Sequence, residues 1–244
     1  MTNSEIMNAA RNTLNAIWMR EAGRLFLFWF LVCLLYIPEL IIEEFLNEES
    51  FAVDIVSFIW ELALLPLSIG IAFYYNNLSQ NKVRSIRNFF HGYSSFLRNL
   101  RACLLKYGVI IVLIIVSCIP LVLCLFDNIA VIVVSIITTL LLGFFLFYKF
   151  FGTIVFYDWR IGEDTKTGVI TILRDCYRRM QLHNDQFFTL NVRFIGWHIL
   201  CVCTLGIAIF WIMPYLYSSY GIFYHKYVYP VEESTVIDNI EETV

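Results

Sequence analysis

Residues 192–224 read VRFIGWHILCVCTLGIAIFWIMPYLYSSYGIFY, an apolar run interrupted by the small turn-forming piece Thr204-Leu205-Gly206. A spanning helix needs roughly 20 mostly apolar residues, because each residue rises about 1.5 Å and the hydrocarbon core is about 30 Å thick. The stretch therefore predicts a membrane-embedded helical hairpin with a tight turn, and Pro214 is a candidate kink in its second arm. The first arm is short if it begins at Val192, so it is expected to start near Phe187 and to carry Arg193 inside its inner end. A re-entrant hairpin is the alternative.

The rest of the chain agrees with a membrane setting. Of its 244 residues, 59% are hydrophobic, 17% aromatic and only 15% charged, too apolar for an ordinary soluble domain. The seven cysteines form no C-x-x-C pair, and most lie in apolar runs where cysteine behaves as a small hydrophobe. Cys201 and Cys203 are two apart on a helix and point to different sides, a poor chelate. No disulfide framework, metal or cofactor is expected.

Working outward, residues 25–42 and 56–75 form a first hairpin around an acidic connector that holds Glu43, Glu44, Glu48, Glu49 and Asp54. Pro66 is a candidate kink in the second helix. Residues 108–126 and 129–156 form a second hairpin about Asp127-Asn128. The fourth helix is on the order of 40 Å long and should tilt or project from the membrane. With the C-terminal pair the expectation is an all-α polytopic bundle of six spans in three hairpins.

Three segments lie outside the spans. Residues 1–24 repeat Ile6, Ala10, Leu14 and Ile17 or Trp18 at helical spacing, with Asn and Arg between them. They carry Glu5, Arg11, Arg20, Glu21 and Arg24 before any apolar run, unlike a secretory signal peptide. They read either as an amphipathic helix on the membrane surface or as a short helix packed on the loops. Residues 76–106 are basic, with an apolar stripe of Val83, Ile86, Phe90, Tyr93, Leu97, Leu100 and Leu104. Arg84, Arg87, Arg98 and Arg101 occupy other faces and are expected to meet anionic headgroups. Residues 157–191 mix charges, with a helix expected from Thr165 and Val169, Leu173, Cys176 and Met180 on one face. The membrane domain is read as 25–229, followed by an acidic tail, 230–244, too polar to fold alone.

Charge orients this map. All 17 Lys and Arg fall on or toward one side, while the three outer turns hold none. The positive-inside rule then puts both termini in the cytoplasm.

Phe194-Ile195-Gly196-Trp197, Thr204-Leu205-Gly206-Ile207, Trp211, Pro214-Tyr215 and Phe223-Tyr224 resemble the signature of the domain-of-unknown-function 975 family of bacterial integral membrane proteins. The likeness extends over about residues 90–227. Where such proteins tend to carry a Met-Lys-Gly-His-Lys-like run, this chain has Met180-Gln181-Leu182-His183-Asn184-Asp185. The resemblance implies a bacterial cytoplasmic membrane and no established activity.

An ionisable residue inside a span is a functional candidate, because burying its charge is costly. Lys149, His198 and Glu61 qualify. Each has a plainer reading: Lys149 snorkels to the inner headgroups, His198 is hydrogen-bonded within the bundle, and Glu61 sits at the outer interface beside Trp60. Gly196, Gly206 and Gly221 read as close helix packing, and Tyr215, Tyr217, Tyr220, Phe223, Tyr224 and Tyr227 as an inner aromatic belt. No H-E-x-x-H, P-loop or G-x-S-x-G occurs. The expected function is therefore non-enzymatic, through contact with anionic lipid headgroups, a membrane-protein partner or a second copy, in envelope stress, immunity or assembly, and without nucleic acid. The alternative is a permease or channel-like protein for an amphipathic or lipid-like solute, which a water-lined cavity at Lys149 or His198 would favour.

Overall fold

Thr2 and Glu5 open the first helix with a reciprocal cap: the Glu5 N–H donates to Thr2 Oγ1 at 3.4 Å and the Thr2 N–H to Glu5 Oε2 at 3.0 Å. In this computed structural model of the protein, residues 2–45, 51–80, 82, 85–125 and 129–230 are described. The expected acidic side chains at 48 and 49, the Asp127-Asn128 turn, Arg84 and the tail from 231 lie outside them.

All regular elements among the described residues are helical. The capped helix is α1 (Asn3–Leu14), followed by α2 (Trp18–Phe45), α3 (Phe51–Leu64) and α4 (Leu67–Ser79). Pro66 separates α3 from α4, because its ring and missing N–H end the ladder. A 3₁₀ helix (Ile86–Tyr93) leads to α5 (Phe96–Cys118), which tightens into a second 3₁₀ segment (Ile119–Leu125). The long α6 (Ile129–Glu163) precedes α7 (Val169–Gln181), α8 (Asn184–Arg193), α9 (Ile195–Cys203) and α10 (Ile209–Phe223), which continues into a π turn (Tyr224–Val228).

Among the described residues five stretches are long and apolar enough to cross a membrane: Trp18–Pro38, Val53–Ser79, Phe96–Val122, Ile129–Glu163 and Asn184–Cys203. The last agrees with an arm that starts before Val192. The sixth expected span, α10, is only 15 residues long. At the hairpin turn Leu205 and Gly206 take φ of 50° and 87°, and the Gly206 N–H donates to the Cys201 carbonyl at 2.8 Å. This left-handed pair is the predicted tight turn, and it is where a glycine is needed.

The spans bury little of themselves. Only 6% of the apolar window in Ile129–Glu163 is buried, against 28% in Trp18–Pro38. The packed core lies instead toward the end of the molecule where the basic residues gather. There Phe156 meets Phe187, Phe223 and Tyr224 with ring centroids 5.0, 5.8 and 5.6 Å apart. Ile6, Ala10 and Leu14 are fully buried, so the apolar face of α1 is used inside the protein, largely against α10. Tyr215, Tyr220, Phe223 and Tyr224 are likewise buried. They form part of this core and not the expected interfacial belt.

Three expectations from periodicity are corrected. The fourth helix does not end at Phe156 but runs to Glu163, since Tyr157 and Trp159 bury their rings and nothing in 157–163 breaks the ladder. Its end is set by Asp164, whose carboxylate accepts the N–H groups of Lys166 and Thr167, both at 3.0 Å. The next helix begins at Val169 after Gly168, not at Thr165. Finally, Leu97 and Leu104 of the apolar stripe face outward, while Asn99, Ala102, Cys103 and Lys106 are buried. In a lipid setting the apolar side of a helix faces the surroundings, and the small and polar residues pack inward.

Candidate functional site

The sequence-selected residues do not converge. Glu61 is exposed and borders an open groove with Trp29, Tyr36, Ser68 and Tyr107. Lys149 Nζ lies 5.7 Å from the Tyr148 ring and 6.0 Å from that of Phe145, while its backbone carbonyl accepts the side-chain amides of Gln181 (3.2 Å) and Asn184 (3.4 Å). Tyr148 donates to Asp185. His198 is exposed, and its Nδ1 lies 2.7 Å from the carbonyl of Phe194, one turn back on its own helix. Neither Lys149 nor His198 lines the groove at Glu61.

The signature residues divide between the core and the surface. Phe194, Pro214, Tyr215, Phe223 and Tyr224 are buried; Trp197 and Trp211 are exposed; Thr204 accepts the Ala208 N–H at 3.1 Å. A Cβ added at Gly196 or Gly206 would meet nothing within 4 Å, so neither glycine makes a close packing contact among the described residues. At Gly221 it would come within 2.4 Å of Ser79 Cβ and 3.2 Å of Trp159, and there the expectation of close packing fits.

Of the four arginines expected to face lipid, Arg87 and Arg101 are exposed. Arg98 is not free to do so. Its guanidinium donates to the carbonyls of Ile161 (3.3 Å), Asp164 and Thr167 (3.2 Å), satisfying backbone acceptors at and just beyond the end of α6.

What the structure does assemble is a set of polar groups that periodicity missed. On α5, Asn99, Cys103 and Lys106 share one face at spacings of four and three, which turns Lys106 inward. Its Nζ binds Asp158 Oδ2 of α6 at 2.7 Å and Ser68 Oγ of α4 at 3.1 Å. Nearby on α2, Glu21 is buried and accepts both Arg24 (2.9 Å) and the Tyr74 hydroxyl.

A third group is centred on Glu163 at the end of α6. Oε1 accepts Asn76 Nδ2 at 2.6 Å and Oε2 accepts the Tyr224 hydroxyl at 2.7 Å. His225 Nε2 lies 2.5 Å from Asn76 Oδ1 and 2.6 Å from Gln80 Nε2. Next to it a cleft of about 610 Å³ is lined by Lys82, Arg160, Arg179, His225 and Tyr229 among others. The guanidinium carbons of Arg160 and Arg179 each lie 4.5 Å from the Tyr229 ring, and the Tyr229 hydroxyl donates to Asp175 at 2.7 Å. Burial raises the Asp175 carboxyl, but the hydrogen bond from Tyr229 and the charge of Arg179 outweigh it and hold it below the usual range. The cleft can hold an anion or a carboxylate.

His225 makes this end sensitive to pH. Burial is the main cause that lowers its pKa below 6.5; the nearby Glu163 charge opposes the shift and Lys82 adds to it. A base depressed in the folded state contributes stability above its unfolded pKa and loses it as pH falls through the folded value. The melting temperature in detergent should therefore drop between pH 7.5 and 5.5, and His225→Gln should reduce that drop. His91, lowered by burial as well, works in the same direction, so the difference between the two proteins is the readout. An identical drop in both would exclude His225 as its source.

No curated protein and no solved structure matches the chain. The family described as "Protein of unknown function (DUF975)" matches residues 1–228. That span takes in every helix described above, including the hairpin signature at its C-terminal end, and the chain belongs to the DUF975 family.

Proposed function

We propose that this is a non-enzymatic multi-pass membrane protein that acts by binding at its basic end. The observation that carries the reading is the contrast along the helices: the spans are apolar and little buried, whereas the packed core, the ion pairs and the polar cleft gather where the basic residues lie. On the positive-inside rule that end, with both termini, faces the cytoplasm. Roles in envelope stress, immunity or assembly fit a protein that presents such a surface.

The C-terminal hairpin is best read as re-entrant, which leaves four crossings: α2, α3–α4, α5 and α6. The ring of Phe210 meets Phe26 at 5.4 Å, near the start of α2. From there the turn at Leu205 is about 8 Å away along the helix, while α2 continues for about 29 Å beyond Phe26. Leu205 is 93% exposed, as suits an apolar tip set in lipid. Four crossings also keep both termini and the basic residues on one side. A membrane-impermeant maleimide added outside intact cells should label Leu205→Cys no more than the natural chain, whose seven cysteines set the background; extra labelling would restore six crossings.

The binding reading and the permease alternative part in vesicles. With the protein reconstituted beside a fluorescent phospholipid, the fraction bleached by external dithionite should equal that of protein-free vesicles. A larger bleached fraction would establish lipid transport and overturn the binding reading.

A further inference from the structure

We propose that α5, α6 and α7 form a site for one anionic phospholipid, its acyl chain in the α5–α6 groove and its phosphate at Arg174. The inference deepens the reading of the basic end as a recognition surface, and it needs α5 and α6 to cross the bilayer. It does not depend on whether lipid is transported.

Two cavities make up the site. The first, about 290 Å³, runs between α5 and α6 and is lined by Ile110, Leu113, Ser117, Gly143 and Phe147 among others. The second, about 340 Å³, adds Lys106, Thr153, Arg174 and Tyr177. Phe150 and Ile154 border both, so the two are adjacent. From Lys106 to Ser117 the groove follows about 16 Å of helix, close to the roughly 15 Å depth of one hydrocarbon leaflet. An acyl chain that enters at Lys106 would therefore end near the bilayer midplane.

The chemistry changes where a headgroup would lie. The Lys149 carbonyl, one turn from Thr153, takes the amides of Gln181 and Asn184, and Tyr148 binds Asp185. The first cavity straddles that level, its α6 lining running from Gly143 to Ile154, and the second lies beyond it toward Asp158. Thr153 is 2% exposed and lines the second cavity, whose accessible lining is apolar, so it presents its methyl group there and the polar contacts of a headgroup fall to the mouth.

Charge selects the headgroup. The Lys106 ammonium is already held by Asp158, and on α7 Asp175 takes Arg178 (3.7 Å) and Arg179 (3.0 Å). Among the described residues no ion pair engages Arg174, which is exposed at the mouth of the second cavity. Beside it Tyr177 stacks on Phe150 at 5.2 Å, giving the amphipathic ring that suits a headgroup boundary. An anionic headgroup gains from Arg174; a zwitterionic one brings its own cation to the same place.

Native mass spectrometry of the full chain in detergent, with phosphatidylglycerol or phosphatidylcholine of matched chains added, tests the site. One phosphatidylglycerol per chain should be retained in preference to phosphatidylcholine. One surface cation is worth about a fivefold change in occupancy, so Arg174→Gln should lower phosphatidylglycerol retention by that factor. Ile154→Trp, which fills the junction of the cavities, should lower retention of both lipids. Arg174→Gln alters an exposed side chain and leaves the fold in place, so its result stands even if Ile154→Trp fails to fold. Equal retention of the two lipids by the natural chain, or unchanged phosphatidylglycerol retention in Arg174→Gln, overturns the proposal.

Discussion

Gly70→Ala is expected to destabilise the native fold by about 3 kcal/mol or more, although alanine is the better helix former. Gly70 lies inside α4, where helix propensity alone predicts a gain of roughly 0.5–1 kcal/mol for the substitution. Sterics decide the other way. An added Cβ would stand 1.7 Å from the Phe89 carbonyl oxygen and 2.6 Å from its carbon. The arrangement is reciprocal, since a Cβ on Gly92 would stand 1.9 Å from the Pro66 carbonyl oxygen. The atoms approached are backbone, so no rotamer change relieves the clash, and α4 must part from the 3₁₀ helix Ile86–Tyr93. Phe89 then leaves its place between Phe28 (4.5 Å) and Tyr74 (3.9 Å), and Tyr74 carries the bond to Glu21. Overpacking of this severity costs about 3 kcal/mol or more, a large part of a total stability on the order of 5–15 kcal/mol. Thermal unfolding in detergent is the measurement. Gly70→Ala and Gly92→Ala should show a strongly lowered transition, while Gly108→Ala and Gly196→Ala, whose added Cβ meets open space, should melt as the natural chain does. A natural melting curve for Gly70→Ala would disprove the interlock.

These glycines also show how far the sequence could be read. The run of apolar segments, the break at Pro66, the turn at Leu205-Gly206 and the arm that starts before Val192 were legible, because each depends on local chemistry. Which glycine is a contact was not. Gly196 and Gly70 look alike in sequence, but only the path of the 3₁₀ helix brings the Phe89 carbonyl onto one of them. The apolar stripe through Leu97 and Leu104 was legible as a stripe but not in its direction, because lipid reverses the inference from apolar to buried. Hydropathy also ended the apolar runs short of Lys106 and Asp158, which left both in the loops. Fifty-two positions apart in sequence, they meet only because α5 and α6 both continue past the apolar runs. Arg98 was misread for a related reason: the carbonyls it binds exist as acceptors only where α6 ends.

Asp158→Ala should destabilise the protein by about 3–5 kcal/mol, the range for removing one partner of a buried ion pair. The side chains of Lys106 and Asp158 are 7% and 13% exposed, so little solvent is available to either charge. Without the carboxylate the ammonium keeps the Ser68 hydroxyl at 3.1 Å and no counter-charge at its former distance of 2.7 Å. Lys106→Met should be harmful for the converse reason, since it strands a carboxylate whose Oδ1 already has no hydrogen-bond partner. The pair joins α5 to α6, and Ser68 brings in α4, so loss of either charge loosens the junction from which the basic end is built. The double variant Lys106→Met with Asp158→Leu removes both desolvation costs and fills similar volume, and buried pairs replaced in this way often recover stability. It should melt closer to the natural chain than either Lys106→Met or Asp158→Leu alone, so that the coupling energy in the cycle exceeds the larger of those two single losses. That pattern would identify the pair as a structural clamp. If the two single losses simply add in the double variant, Lys106 and Asp158 do not act as a unit, and each charge must be held by other groups.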